Sequence, residues 1–254
     1  MTDCKPMSTP MDQNFNHYSL LRPKSESPEL ENTCRKIIGS VMYAMLGSRP
    51  DLCASISILS RYQSCASTEL HTCLKRVLRY IKKTLDLKLV YKRNDCNQIT
   101  VKGFADADWA GDNTDRKSTS GFCFKIFNCT VSWASKKQNC VSLSSTEAEY
   151  VSLSQSACEA CWLKNLLNEI GVSHVENPVV IYEDNQSSIK ISLSIEQPKR
   201  LKHIDVKHHF IKEKVKNKVI EIKYIPTQDQ IADILTKPLN KCTFEQLRQL
   251  ILNC

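Results

Sequence analysis

The sequence predicts a mixed α/β domain over about residues 99–240, preceded by a small all-helical module. Three observations carry this reading. Apolar residues repeat at helical spacing between residues 31 and 83, and three short strand-like runs follow in succession from residue 99. After residue 147 helical and strand patterns alternate. With 254 residues, 41% apolar and 24% charged, the chain has ample material for a buried core.

Taken in order, residues 1–30 read as an extended polar segment punctuated by proline. Ile37, Ile38, Val41, Met42 and Met45 then mark one helical face. Pro50 suits the first turn of a second helix carrying Leu52, Ile56 and Leu59. Thr68 is the expected cap of a third, with Leu70, Leu74, Val77, Leu78 and Ile81 on one stripe. Lys75, Arg79, Lys82 and Lys83 make a second, basic stripe on that helix, either a solvated face or a phosphate-tracking one. "DLKLVYKRND" reads as a strand and turn closing this module, which spans 31–98.

Strands are expected at 99–106, 121–127 and 130–135, joined by turns short enough for an antiparallel meander. A long helix over 147–170, a strand ending in "VVIYED", helices near 185–193 and 205–217, a strand at 218–225 and two short helices complete the pattern. Residues 241–254 are expected to be a C-terminal helix.

The formal charge is +8, and residues 1–100 hold most of the excess, with 15 Lys and Arg against 9 Asp and Glu. That balance suits a phosphate-bearing partner but does not specify one. The thirteen cysteines lack the spacing of a disulfide scaffold and read as reduced thiols. No run of about 20 apolar residues marks a membrane span. No signal-peptide core opens the chain, so the expectation is a protein that is neither secreted nor membrane-bound.

The stretch "KGFADADWAG" sets Asp106 and Asp108 within an otherwise apolar strand. A buried carboxylate costs several kcal/mol unless something holds it. Three other acids occupy corresponding places: Glu149 in the first turn of the long helix, Asp184 at the end of "VIYED", and Asp233 near the start of a terminal helix. Strand ends and neighbouring helix starts converge on one edge of α/β folds. Four carboxylates gathered there repel one another, and hard divalent cations such as Mg²⁺ or Mn²⁺ resolve the conflict. Two such ions can promote phosphodiester hydrolysis. Taken singly, each acid also has an ordinary use. Glu149 with Thr146, or Glu147 with Ser144, would form a capping box; Asp184 would cap the next helix; Asp106 and Asp108 would start a turn.

Five longer segments go further: "FADADWAGDNTDRKSTSG", "SWASKKQNCVSLSSTEAEYVSLSQSACEACWL", "IYEDNQSSI", "KRLKHIDVKHHFIKEKV" and "YIPTQDQIADILTKPL". In this order they resemble the ribonuclease H region of copia-type LTR retrotransposon Pol polyproteins. "CKPMSTPMD", "IGSVMYAMLGSRPDL" and "VLRYIKKTLDLKLVY" resemble the thumb-side end of that family's reverse transcriptase. The resemblance implies an RNase H-like fold, a five-stranded mixed sheet flanked by helices. It also implies magnesium-dependent endonucleolytic cleavage of RNA in RNA–DNA hybrids, with two ions held by Asp106, Glu149, Asp184 and Asp233, and Mn²⁺ as a substitute. Asp108 then has a supporting role. Two departures stand out. The chain has no adjacent aspartate pair of the kind a polymerase palm needs, so polymerisation is not expected of it, and the fingers and palm would lie upstream of Met1. Gln228 falls where many ribonucleases H place a mobile histidine.

Beside such a site, Lys136, Lys137, Ser144, Ser145, Asn185 and Gln186, with Lys75, Arg79 and Lys82 from the helical module, are the expected nucleic-acid contacts. The basic run over 199–218 is a further candidate. Trp133 and Trp162 are expected in the core. "CEAC", Cys158 to Cys161, with His203, His208 and His209, is a weak zinc pattern. The expected partners are an RNA–DNA hybrid and the upstream reverse transcriptase or the integrase of the same polyprotein. The expected location is the cytoplasm, in a virus-like particle, with access to the nucleus. The rival reading is a catalytically silent Pol fragment that only binds nucleic acid or a Pol partner.

Overall fold

The computed structural model describes residues 3–91, 100–171, 177–194 and 205–253. Three helices, α1 (Pro28–Gly47), α2 (Cys53–Ser60) and α3 (Thr68–Lys83), precede the sheet. Ser27 starts α1 by accepting a hydrogen bond from Leu30 N, with Pro28 in the first turn and Glu29 and Glu31 beside the positive helix end. Ser67, not Thr68, caps α3, accepting from Leu70 N. The expected stripe of α3 is buried at Leu70, Leu74 and Val77, and Tyr80 joins it.

The N-terminal segment is not loose. Thr9, Met11, His17 and Leu20 are buried against the helical module. Arg79 Nε donates to Lys5 O, Lys82 Nζ to Cys4 O at 3.1 Å and Lys83 Nζ to Ser8 Oγ at 2.7 Å. Part of the basic stripe of α3 therefore faces this segment. The strand expected in "DLKLVYKRND" does not form in its described part, which ends at Tyr91. That stretch is irregular, tied by Val90 N to Leu252 O, and the rest lies outside the described residues.

The sheet has five strands in the order β3-β2-β1-β4-β5. They are β1 (Val101–Asp108), β2 (Thr119–Ile126), β3 (Cys129–Lys137), β4 (Val179–Glu183) and β5 (Ile220–Tyr224). The first three form the expected antiparallel meander, and β4 and β5 add in parallel to β1. Helices α4 (Ser145–Glu169), α5 (Gln186–Leu193), α6 (Asp205–Lys216), α7 (Asp233–Thr236) and α8 (Lys241–Leu252) complete the described fold.

Both faces of the sheet are covered, which explains why β1 and β2 are buried along nearly their whole length. On one face Phe122, Phe124 and Ile181 pack with Tyr150, Leu153 and Ile211 of the helices α4 and α6. On the other, Phe104 and Cys123 share a core with Ile56, Leu59, Leu74, Leu235 and Leu247, so the helical module, α7 and α8 form one layer. Trp133 belongs to that layer, and its Nε1 donates to Met45 O at 3.2 Å. Trp162, expected in the core, is exposed on α4. No helix among the described residues is long and apolar enough to cross a membrane.

A buried polar knot fastens the helical layer to the sheet. The Asp112 carboxylate receives Lys137 Nζ at 2.5 Å, Arg61 Nη1 at 3.3 Å and Thr114 Oγ1 at 2.6 Å. Burial opposes its charge, yet the bonds from Lys137 and Thr114 hold the group well below the usual carboxylate range. His17 Nδ1 approaches it at 3.7 Å and meets Tyr62 Oη at 2.8 Å.

Gly121 of β2 admits α7 to the sheet: a Cβ there would lie 2.6 Å from Thr236 Cγ2 and 2.9 Å from Leu235 Cβ. Gly121→Ala is therefore expected to push α7 outward and to lower stability by about 1–3 kcal/mol. Urea denaturation measures this, and an unchanged midpoint would mean that α7 does not need the close approach.

Candidate metal centre

The site lies where the sheet changes from antiparallel to parallel pairing, a crevice that α/β folds often use for ligands. In the parallel pair of β1 and β4, Phe104 stands opposite Tyr182. Asp106 and Asp184, each two residues further along, thus emerge at the same end of the sheet. Ser152 Oγ on α4 donates to Asp106 O at 2.7 Å, fixing that helix against β1 one turn after Glu149. The carboxylates of Asp106, Glu149 and Asp184 each offer an oxygen within 4.8 Å of the others.

The competing uses of these acids resolve by register. At the start of α4, Ser144 Oγ accepts from Glu147 N at 3.2 Å, and Glu147 Oε2 returns to Leu143 N at 2.8 Å. Helix α4 starts at Ser145, earlier than expected, so Glu149 lies beyond its first turn and is not part of the cap. At α5 the cap is Asn185, whose Oδ1 accepts from Ser188 N, leaving Asp184 for the cluster.

Asp233 lies on the Lys237 side of Asp106. Lys237 Nζ sits 2.9 Å from Asp233 Oδ1 and 3.9 Å from Asp106 Oδ2, and Thr236 Oγ1 donates to Asp106 Oδ2. Burial, and then the charge of Asp106, raise Asp233 to about 7. Burial likewise raises Asp108 to about 6. Glu149 is raised strongly by burial and then by Glu183, Asp106 and Asp184. Lys237 is raised, since the carboxylates around it outweigh its own burial.

Three neighbours of the cluster escape a reading of motifs. Glu183 is fully buried below the site; its Oε1 accepts from Asn185 N at 3.2 Å, and its pKa is raised by burial and nearby acids. Thr227 Oγ1 donates to Asp184 Oδ2 at 2.7 Å from the loop after β5. Lys237 follows Asp233 by four residues, a helical spacing that could have flagged it. Gln228 is exposed in the same loop as Thr227.

The donor set fits a hard divalent cation. It is all oxygen, and Glu149 Oε2 is buried without a hydrogen-bond partner. Of the expected nucleic-acid contacts, Lys136, Ser144, Ser145, Gln186 and Lys75 are exposed. Lys137 is engaged by Asp112 and Asp115, Asn185 by its cap, and Arg79 and Lys82 by the N-terminal segment. Cys158 and Cys161 do not group with a histidine as metal ligands among the described residues; His203 and residues 199–204 of the basic run lie outside those residues. Every described cysteine is a free thiol.

Strand order, mixed pairing and helices on both faces define the RNase H-like fold, here with a carboxylate cluster at its switch point. No protein-family model matches the chain. Over an alignment of 256 positions that covers 99% of its length, it is 35% identical to the Retrovirus-related Pol polyprotein from transposon TNT 1-94 of Nicotiana tabacum. It is 36% identical over 99% of its length to the corresponding polyprotein from transposon RE2 of Arabidopsis thaliana. The chain belongs to the Pol polyprotein family of copia-type retrotransposons. It spans 19% and 17% of the length of those two relatives. Among solved structures it is similar to LC11-RNase H1, crystallised with an RNA/DNA hybrid, at a TM-score of 0.40 and 17% identity over 54% of this chain and 94% of that one.

A raised carboxyl pKa means that the metal-free folded state holds protons the unfolded chain has released. For Asp233, the stabilisation is complete below about pH 4 and is lost as pH rises toward 7. In EDTA the melting temperature is accordingly expected to fall between pH 5 and pH 8, and Mg²⁺ or Mn²⁺ to restore it at pH 8. A melting temperature that is flat in pH and insensitive to metal would contradict the cluster.

Lys237→Met removes a cation from among these carboxylates. It should lower the metal-free melting temperature at pH 8 by about 2–4 °C, equivalent to about 1 kcal/mol, with Mn²⁺ recovering most of the loss. Differential scanning calorimetry with and without metal decides this, and equal melting temperatures for the two proteins in EDTA would refute the counter-ion role.

Proposed function

We propose that the chain hydrolyses the RNA strand of RNA–DNA hybrids as a divalent-metal-dependent endonuclease. The observation that carries this reading is the convergence of Asp106, Glu149 and Asp184 oxygens within 4.8 Å at the switch point of the sheet. Membership of the Pol family supports it, because copying RNA into DNA creates such hybrids. Asp106, Glu149, Asp184 and Asp233 would hold Mg²⁺ or Mn²⁺, with Asp106 common to both sides of the cluster. Bound there, divalent cations supply Lewis-acid stabilisation for phosphodiester hydrolysis.

The protein's own groups supply position and charge. Thr227 and Thr236 fix the rotamers of Asp184 and Asp106 by hydrogen bonds. Lys237 offsets the negative charge on the Asp233 side. Lys136, Ser144, Ser145 and Gln186 are exposed, and they are proposed to meet phosphates and 2′-hydroxyls. The helical module, with Lys75 exposed on α3, is proposed to extend the duplex track or to seat the upstream reverse transcriptase.

The test is cleavage of an end-labelled hybrid in Mg²⁺ and in Mn²⁺, with single-stranded RNA, EDTA and Asp184→Asn as controls. Internal cuts confined to the hybrid, abolished by EDTA and reduced at least 100-fold by the substitution, are expected, on the scale of losing an oriented group that stabilises the transition state. A folded protein that binds the hybrid without cutting it in either metal would reduce the chain to a binding fragment.

A further inference from the structure

Beside the acids, the structure holds out an indole. Trp109 directly follows β1, three residues beyond Asp106, and is 48% exposed. It is not a free rotor, because Nε1 donates to Ser142 O at 3.0 Å. Val141 and Leu143, on either side of that carbonyl, are 47% and 78% exposed. The loop bearing them leads directly into Ser144, the cap of the helix that carries Glu149. Single exposed apolar residues are unremarkable on a protein surface. Here the Trp109–Ser142 hydrogen bond joins the segments that carry all three, between the two elements that supply Asp106 and Glu149.

The backbone is built to present this ring. Ala110 has a φ of +52°, a left-handed conformation that costs a residue with a Cβ roughly 1–2 kcal/mol. Its amide is held by Ser118 Oγ at 3.0 Å. A Cβ on the next residue, Gly111, would overlap the Asp108 carboxylate, which would have to move to admit it. Strain of this kind gathers at functional sites. A cation also lies at this end of the sheet: β3, in register with the end of β1 through β2, brings the exposed Lys136 there.

We propose that Trp109, with Val141 and Leu143, is a platform for the RNA strand of the hybrid, packing against ribose faces in the minor groove next to the scissile position. The inference rests on the hybrid-nuclease reading and adds to it a residue for substrate selection. A hybrid approaching A-form geometry has a wide, shallow minor groove that exposes its sugars. Its bases are already stacked on one another, so the accessible apolar surface is the sugar face. Every nucleotide of the RNA strand presents the same sugar, so such a contact tolerates any sequence.

The experiment measures the affinity of fluorescein-labelled duplexes in EDTA, in the Asp184→Asn background so that binding is separated from cleavage. Trp109→Ala is expected to weaken hybrid binding about tenfold, the scale of one aromatic contact, but to weaken binding of DNA duplex of the same sequence about twofold. Trp109→Phe should recover most of the loss, and hybrid-induced quenching of tryptophan emission should disappear in it. With Asp184 intact, the Trp109→Ala defect should raise KM. Unchanged hybrid affinity, or equal losses on hybrid and DNA, would overturn the platform while leaving the nuclease reading in place. If the protein with Trp109 intact neither binds nor cuts hybrid, both readings fall together.

Discussion

The structure turns on holding like charges together. Asp106, Glu149 and Asp184 offer oxygens within 4.8 Å, while Asp233 and Asp108 crowd Asp106 and Glu183 lies buried beneath. In a low-dielectric setting such a group is unstable unless protons, cations or donors answer it. The fold supplies several answers. Thr236 and Thr227 donate to carboxylate oxygens, Lys237 adds a positive charge, and raised pKa values let Glu149 and Asp233 keep protons. A divalent cation would complete the set, and Glu149 Oε2 is one of the acid oxygens buried there without a hydrogen-bond partner.

That cluster can exist only because the sheet beneath it is covered on both faces. Helices α4, α5 and α6 close one side; the helical module, α7 and α8 close the other. The second layer is drawn from both ends of the chain. Tyr80 of α3 meets Phe244 of α8 edge-on, with ring centres 5.6 Å apart, and donates to Asp51, which also pairs with Arg49 at 2.8 Å. Asp112 adds a second fastening between Arg61 of the helical module and Lys137 of the sheet. The helices before the sheet thus complete a layer over it.

Membership of the copia-type Pol family and the carboxylate site contribute different things. The family connects the chain to polyproteins several times its length, of which it matches less than one fifth. The site shows what that part holds: an all-oxygen donor set at a sheet edge, with an exposed indole and an exposed lysine at the same end. The basic stripe of α3 is divided, since Lys75 is free to solvent while Arg79, Lys82 and Lys83 serve the N-terminal segment. Net charge alone therefore overstates the surface available to phosphate.

By itself the sequence determined what local periodicity and local chemistry determine. The helical stripes of α1 and α3, the meander and the later alternation of helix and strand were all legible, as were the three acids Asp106, Glu149 and Asp184 that the fold brings together. Local competition was less legible: Ser67 displaces Thr68 as a cap, and Ser144 with Glu147 closes α4, because hydrogen bonds select among neighbouring residues by geometry that spacing does not encode. Only the tertiary structure decided which distant groups meet. Lys237 beside Asp106, Thr227 on Asp184, Arg61 on Asp112 and the N-terminal segment along α3 join residues from different elements. The physical reason is range. A pattern within one element reports the face that element buries, whereas a charge or an orphaned donor is answered by whatever the closed fold brings within about 3 Å.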